Sequence, residues 1–193
     1  MKKHIYLILI SLLSTTAWAA TTFTIDRGSS SAEFLAIGRP SALKIRGTKG
    51  KPEGKLTIEE EKIQGELLLN LSEFETGIGM RDRHMKEKYL EVEKNDFKVA
   101  KLKIISVSLP LTFWKSPSKQ KTSFKGLLKL HGVEKEIAGD IDITDATKDS
   151  LSGSANFTIA LPDFGITIPS FSGITVAEKV DVEVKFKGKV ESL

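Results

Sequence analysis

Hydrophobic and polar residues alternate along most of this chain. From Val180 onward, Val180, Val182, Val184, Phe186, Gly188 and Val190 fall on one side; Asp181, Glu183, Lys185, Lys187 and Lys189 fall on the other. Successive side chains of a strand point to opposite faces, so the pattern predicts a strand with one buried and one wet face. Leu151, Gly153, Ala155, Phe157, Ile159 and Leu161 repeat it against Ser152, Ser154, Asn156 and Thr158. Residues 137–143 and 124–130 do the same. Weaker alternation marks 63–71, 100–104, 107–113, 43–45, 56–58 and 32–36. Turn-forming residues separate these runs at 47–54, 117–118 and 145–150.

Two stretches break the period. Residues 79–92 carry Met80, His84, Tyr89 and Leu90 among many charges, a composition suited to a short surface helix across a barrel end. Residues 162–177 contain Gly165, Pro169 and Gly173 and read as a loop with one helical turn. Eight to ten regularly spaced strands fit a sandwich or a closed barrel. Several runs reach the length a tilted barrel needs, which favours an all-β, extended antiparallel barrel of about eight strands with one or two short helices. Gly65, Gly126, Gly139, Gly153 and Gly188 interrupt the apolar faces. They read either as barrel corners with room for a guest, or as ordinary bulges.

The first residues change the picture of where the chain works. Lys2 and Lys3 precede an apolar run over 5–13, and Ala17-Trp18-Ala19 places small residues where a signal peptidase reads. We expect a signal peptide at 1–19, a single domain at 20–193, and a periplasmic or secreted protein. The apolar run falls short of the roughly 20 residues a membrane-spanning helix needs. With Lys2 and Lys3 gone, 27 of the 29 basic residues remain against 25 acidic ones. Such a near-balance, alternating in sign, describes a solvated face and gives no footprint for nucleic acid. The chain has no Cys, which excludes disulfides, thiol catalysis and thiolate metal sites.

The inward stripe is aliphatic plus Phe: Phe34, Leu67, Leu69, Leu128, Phe157 and Phe186 either line a pore or fill a core. Arg81 could donate its fork to a polar ligand head, or Arg81-Asp82 could be structural, with Asp82 accepting backbone N–H groups near a helix start. His84 and His131 lack a helical metal-binding spacing and read as hydrogen-bonded turn residues. Asp163-Phe164-Gly165 stands without the other elements of a kinase and reads as a mouth loop with Phe164 packing inward. No nucleophile–base pair or carboxylate dyad stands out, so we expect a non-enzyme without a cofactor.

These features together resemble the YceI-like family of exported, lipocalin-like barrels. Three motifs carry the resemblance in order. The first runs from Thr76 through Arg81-Asp82-Arg83-His84-Met85 to Tyr89-Leu90. The second is Gly126-Leu127-Leu128-Lys129-Leu130-His131-Gly132-Val133-Glu134-Lys135. The third is Asp163-Phe164-Gly165-Ile166. A first hairpin, from Asp26 to Phe34 and from Ile45-Arg46-Gly47 to Gly54, adds a fourth similarity. The chain departs from the family pattern at Ser29-Ser30, Lys49, Lys98, Leu102 and Leu161-Pro162.

The resemblance implies a barrel whose pore holds a long isoprenoid chain, a quinone or polyprenyl lipid, without catalytic chemistry. The expected pore lining is then Phe34, Leu67, Leu69, Phe74, Met80, Met85, Leu128, Phe157, Phe164 and Phe186. Arg81, Asp82, His84 and His131 are expected as polar residues at its mouth. The expected partners are that lipid and a transiently touched membrane, for a monomer or homodimer. Micromolar binding at roughly 0.3 kcal/mol per heavy atom asks for about 27 atoms, about five prenyl units. The competing expectation is a stress-related interaction protein with a filled core and no lipid.

Overall fold

The computed structural model describes residues 20–40, 43–59, 62–94, 96–171 and 173–192; the expected signal peptide lies outside them. The strands are β1 (Thr21–Ile25), β2 (Ser31–Arg39), β3 (Lys44–Gly50), β4 (Pro52–Glu59), β5 (Lys62–Asn70) and β6 (Val99–Val107). They continue as β7 (Gln120–Leu130), β8 (Val133–Ala146), β9 (Ser150–Ala160), β10 (Ser170–Phe171) and β11 (Ile174–Ser192). All pairings are antiparallel, and β1 pairs with both β4 and β11, which closes the sheet. The long β11 takes β1 along its C-terminal half and β2 along its N-terminal half. β1 and β2 therefore share one barrel position, and β3 and β4 the next. The result is an eight-stranded closed antiparallel barrel.

One seam of that barrel parts. Leu69, near the end of β5, pairs with Pro52 at the start of β4. Beyond that point β3 runs on with β2 on one side. Its other side holds only the Thr48–Glu75 bridge among the described residues. The chain fills the opening with a turn at Leu71–Glu73, then helix α1 (Gly79–His84), which loosens into a π-helical turn over Met85–Tyr89. The Tyr89 hydroxyl meets the backbone N–H and the carbonyl of Ser170, each at 3.2 Å, and ties this turn to β10.

Burial follows the alternation. Val180, Ile159, Leu128, Ile104 and Ala100 are buried on inward faces, while Lys179, Asp181, Thr158 and Lys103 beside them are exposed and Lys101 and Lys129 half-buried. A second apolar cluster sits at the far end, where Phe113 (3% exposed) packs with Phe23, Ile25, Ile58, Ile143, Leu151 and Val190.

Three sequence expectations need correction. The alternation over 107–113 does not make a strand: β6 ends at Val107, and Leu111–Trp114 is a 3-10 helix preceded by Pro110. Proline lacks the N–H a ladder needs, and the turn lets Phe113 swing into the far cluster. The turn expected over 47–54 shrinks to a bend around Lys51, because β3 and β4 both run into that range. The loop expected over 162–177 ends early, since β11 starts at Ile174 and pairs Thr175 with Arg39.

The inward glycines seat neighbouring side chains. A Cβ on Gly188 would lie 2.4 Å from the Phe23 ring, and one on Gly139 would lie 2.8 Å from Phe124. Phe124 and Phe157 meet edge to face over Gly139 with centroids 6.0 Å apart. Rings of the barrel itself take the space at Gly139, Gly153 and Gly188, while the paired backbone of β4 closes on Gly65 and Leu102 on Gly126, so none of the five is an opening for a guest.

Candidate functional site

The barrel interior is not solid. An upper cavity of about 400 Å³ lies under α1, and a lower one of about 170 Å³ continues toward the Phe113 cluster. The upper volume falls within the usual range for small-molecule sites, about 300–1,000 Å³. Leu69, Ala100, Leu128, Phe157 and Val182 line both cavities. They come from β5, β6, β7, β9 and β11 and form a neck between two apolar chambers. Several of these inward side chains, Phe157 and Val182 among them, are only half-buried because they face this space rather than each other.

The expected lining residues separate into three groups. Phe34, Leu69, Phe74, Met80, Met85, Leu128 and Phe157 line the upper chamber. Phe34 and Phe74 meet there edge to face, with centroids 5.3 Å apart. Leu67 and Phe186 line the lower chamber. Phe164, although 2% exposed and part of the core, borders neither chamber. It closes the 3-10 turn Leu161–Phe164, after which Gly165 turns the chain through a left-handed φ of 67°.

The polar candidates separate as well. Arg81 and His84 line the upper chamber. The Arg81 fork is largely committed to the wall: Nε donates to Thr76 Oγ1 at 2.7 Å and Nη2 to the Thr76 carbonyl at 2.6 Å. Its other terminal nitrogen, Nη1, is not engaged by Thr76. Asp82 does not border the chamber. It accepts from the Thr76 backbone N–H at 2.7 Å and from the Thr76 hydroxyl, fixing the start of α1 to the preceding loop. This is the structural reading of Arg81-Asp82, with the Arg81 side chain also forming part of the upper chamber's lining.

His131 is a hydrogen-bonded turn residue and borders neither chamber. It occupies the first corner of the two-residue turn between β7 and β8, with φ 50° followed by Gly132 at φ 77°. Positive φ at both centres is what a tight hairpin needs, and His tolerates it better than most residues. Nδ1 donates to the Phe164 carbonyl at 3.2 Å and Nε2 faces Glu91 Oε2 at 3.1 Å. His131 thus pins the β7–β8 turn to the 3-10 turn and to the end of the π-helical turn. Hydrogen bonds from Lys94 first and His131 second hold the Glu91 carboxyl below the usual carboxylate range. Among the described residues no group of three or more His, Asp or Glu is placed to hold a metal.

Sequence reasoning missed several walls of the chambers. Leu43, Ile78 and Ile174 stand at the upper rim, and Leu109 and Trp114 border the lower chamber. Ile78, Ile174 and Trp114 lie in or beside turns, where alternation gives no face, while Leu43 and Leu109 stand in alternating runs but just outside the strands.

Comparison with known proteins agrees with this architecture. A solved polyisoprenoid binding domain from Saccharophagus degradans, implicated in plant cell wall breakdown, superposes with a TM-score of 0.69. It is 14% identical and covers 88% of this chain and 98% of its own. BcnA of Burkholderia cenocepacia gives 0.67 at 10% identity, over 84% and 98% of the two chains. The YCEI protein of Campylobacter jejuni gives 0.53 at 15% identity, over 98% of each. At such identities the likeness establishes the fold alone. No curated protein sequence matches the chain significantly. The YceI-like domain profile matches residues 23–188, nearly the whole described barrel, and so this chain belongs to the YceI-like family.

Proposed function

We propose that this protein binds and carries a long isoprenoid chain, held by burial in the two chambers, and that it works outside the cytoplasm. The carrying observation is the pair of apolar cavities that adjoin at a neck lined by Leu69, Ala100, Leu128, Phe157 and Val182. The fold-related polyisoprenoid binding domain and the family membership support the ligand class. The charged and apolar pattern of the first nineteen residues supports export.

Volume and affinity lead to the same ligand size. An apolar cavity of about 150 Å³ accepts benzene, or roughly 25 Å³ per heavy atom. On that scale the upper chamber holds about 16 atoms, or three prenyl units, and both chambers about 23, or four to five units. At roughly 0.3 kcal/mol per atom the upper chamber alone gives about 5 kcal/mol, sub-millimolar binding. Filling both gives about 7 kcal/mol, near ten micromolar. Useful affinity therefore requires a tail that passes the neck. A polar head, quinone or alcohol, would remain near Arg81 Nη1 and His84. A solid-cored interaction protein finds no support in an interior with this much free space.

The test is native mass spectrometry of protein stripped of lipid and offered geraniol, farnesol and geranylgeraniol in detergent. We expect affinity to rise at least tenfold from geraniol to geranylgeraniol. Failure to take up any of the three would end the proposal.

A further inference from the structure

Five large hydrophobic side chains are markedly exposed among the described residues, and four of them stand on the rim of the upper chamber. These are Leu43 (40% exposed), Ile78 (54%), Met80 (55%) and Ile174 (36%). They come from three separate segments, before β3, at the start of α1 and at the start of β11. Leu43 and Ile174 converge over Gly38, where an added Cβ would lie 3.1 Å from each. Gathered apolar tips around a cavity mouth mark an interaction surface, whereas single scattered ones do not.

The charge of the same segments states what that surface meets. Residues 39–44, 75–88 and 174–179 carry seven basic residues against four acidic ones. One of those acids, Asp82, is already held by Thr76. Arg39, Lys44, Arg83 and Lys86 form no ion pair among the described residues, in contrast to Arg46 with Glu33 and Lys129 with Asp96. Apolar tips carried on segments whose net charge is +3 fit the surface of a bilayer containing anionic phospholipids.

We propose that the chamber rim is a membrane-docking face, in which Ile78, Met80, Leu43 and Ile174 enter the headgroup boundary of an anionic bilayer. Arg39, Lys44, Arg83 and Lys86 contact its phosphates. This rests on the isoprenoid-binding reading for its purpose: a docked rim lets a tail pass between bilayer and chamber without crossing water. The surface itself is tested separately from the chamber.

Vesicle co-sedimentation compares phosphatidylcholine with an equal mixture of phosphatidylcholine and phosphatidylglycerol, at low and high salt, using stripped protein. We expect binding to the mixed vesicles only, weakened by salt. Ile78→Glu and the double variant Arg83→Glu/Lys86→Glu should each lower it about tenfold or more. Arg83 and Lys86 do not border the chamber, so the double variant should take up detergent-dispersed geranylgeraniol as the wild type does. Equal binding to both vesicle types, no binding, or an unchanged double variant overturns the docking face. So does a wild-type dimer in solution that Ile78→Glu converts to monomer, since a second copy would then be the occupant. Vesicle binding without any geranylgeraniol uptake would instead retain the face and remove the carrier reading.

Discussion

Ala100 is the smallest side chain at the neck. It is 6% exposed, pairs with Leu69 across the β5–β6 ladder, and borders both chambers. A large ring here should shut the lower chamber and leave the upper one open. Loss of space for about seven heavy atoms corresponds to about 2 kcal/mol, or roughly thirtyfold in affinity. Ala100→Phe is therefore expected to weaken geranylgeraniol by about that factor while changing geraniol little, as read by competition in native mass spectrometry. Equal losses for both alcohols would show that the neck does not divide the space. Asp82 and His131 illustrate the opposite kind of residue. Both carry conspicuous polar chemistry in sequence, and both spend it on Thr76, Glu91 and the Phe164 carbonyl. They shape the mouth by fixing the segments around it.

At the level of elements, the Leu111–Trp114 turn sets the floor. Phe113 anchors it in the far cluster, and Trp114 borders the lower chamber with its ring 5.0 Å, centroid to centroid, from Phe113. Trp114→Ala should deepen the chamber and shift the best-bound prenyl alcohol upward by at least one unit. The check is a mixture of prenyl alcohols of graded length, with the bound fraction weighed by mass spectrometry.

The same turn shows where the sequence could be read and where it could not. β7, β8, β9 and β11 were legible because one face meets water and the other meets the interior, so polarity repeats every second residue. Leu109, Leu111 and Phe113 also repeat every second residue, yet Pro110 starts a 3-10 helix and the spacing imitates a strand. β1 escaped notice for the converse reason. Its Thr22 is polar but only 1% exposed, which blurs the alternation. Lining residues on strands, such as Phe34, Leu69 and Phe157, followed directly from the pattern. Ile78 and Ile174 did not, because turn residues have no periodic face. The motif residues Asp82, His131 and Phe164 were conspicuous in sequence for caps and turns, and that left them off the chamber walls.

Considered whole, the molecule is a closed sheet whose own side chains leave part of its interior unfilled, and it has no disulfide to compensate. Side chains facing a void lose the contacts that a dense core provides. A bound tail restores them, so occupancy and stability are linked. With geranylgeraniol free at about a hundred times its Kd, stabilisation is about 2.7 kcal/mol. For a domain of this size that moves Tm upward by roughly 5–10 °C. Calorimetry of stripped and loaded protein measures it directly; coincident melts would mean that the alcohol does not occupy the interior.

The neck also has a kinetic meaning. A tail threads it end-on and must retreat along the same path, so each unit lying beyond it lengthens the dwell time and leaves the capture rate almost untouched. Short chains then escape quickly while long ones linger. Two molecules that arrive equally often would be told apart by how late they depart, with no contact made to their heads.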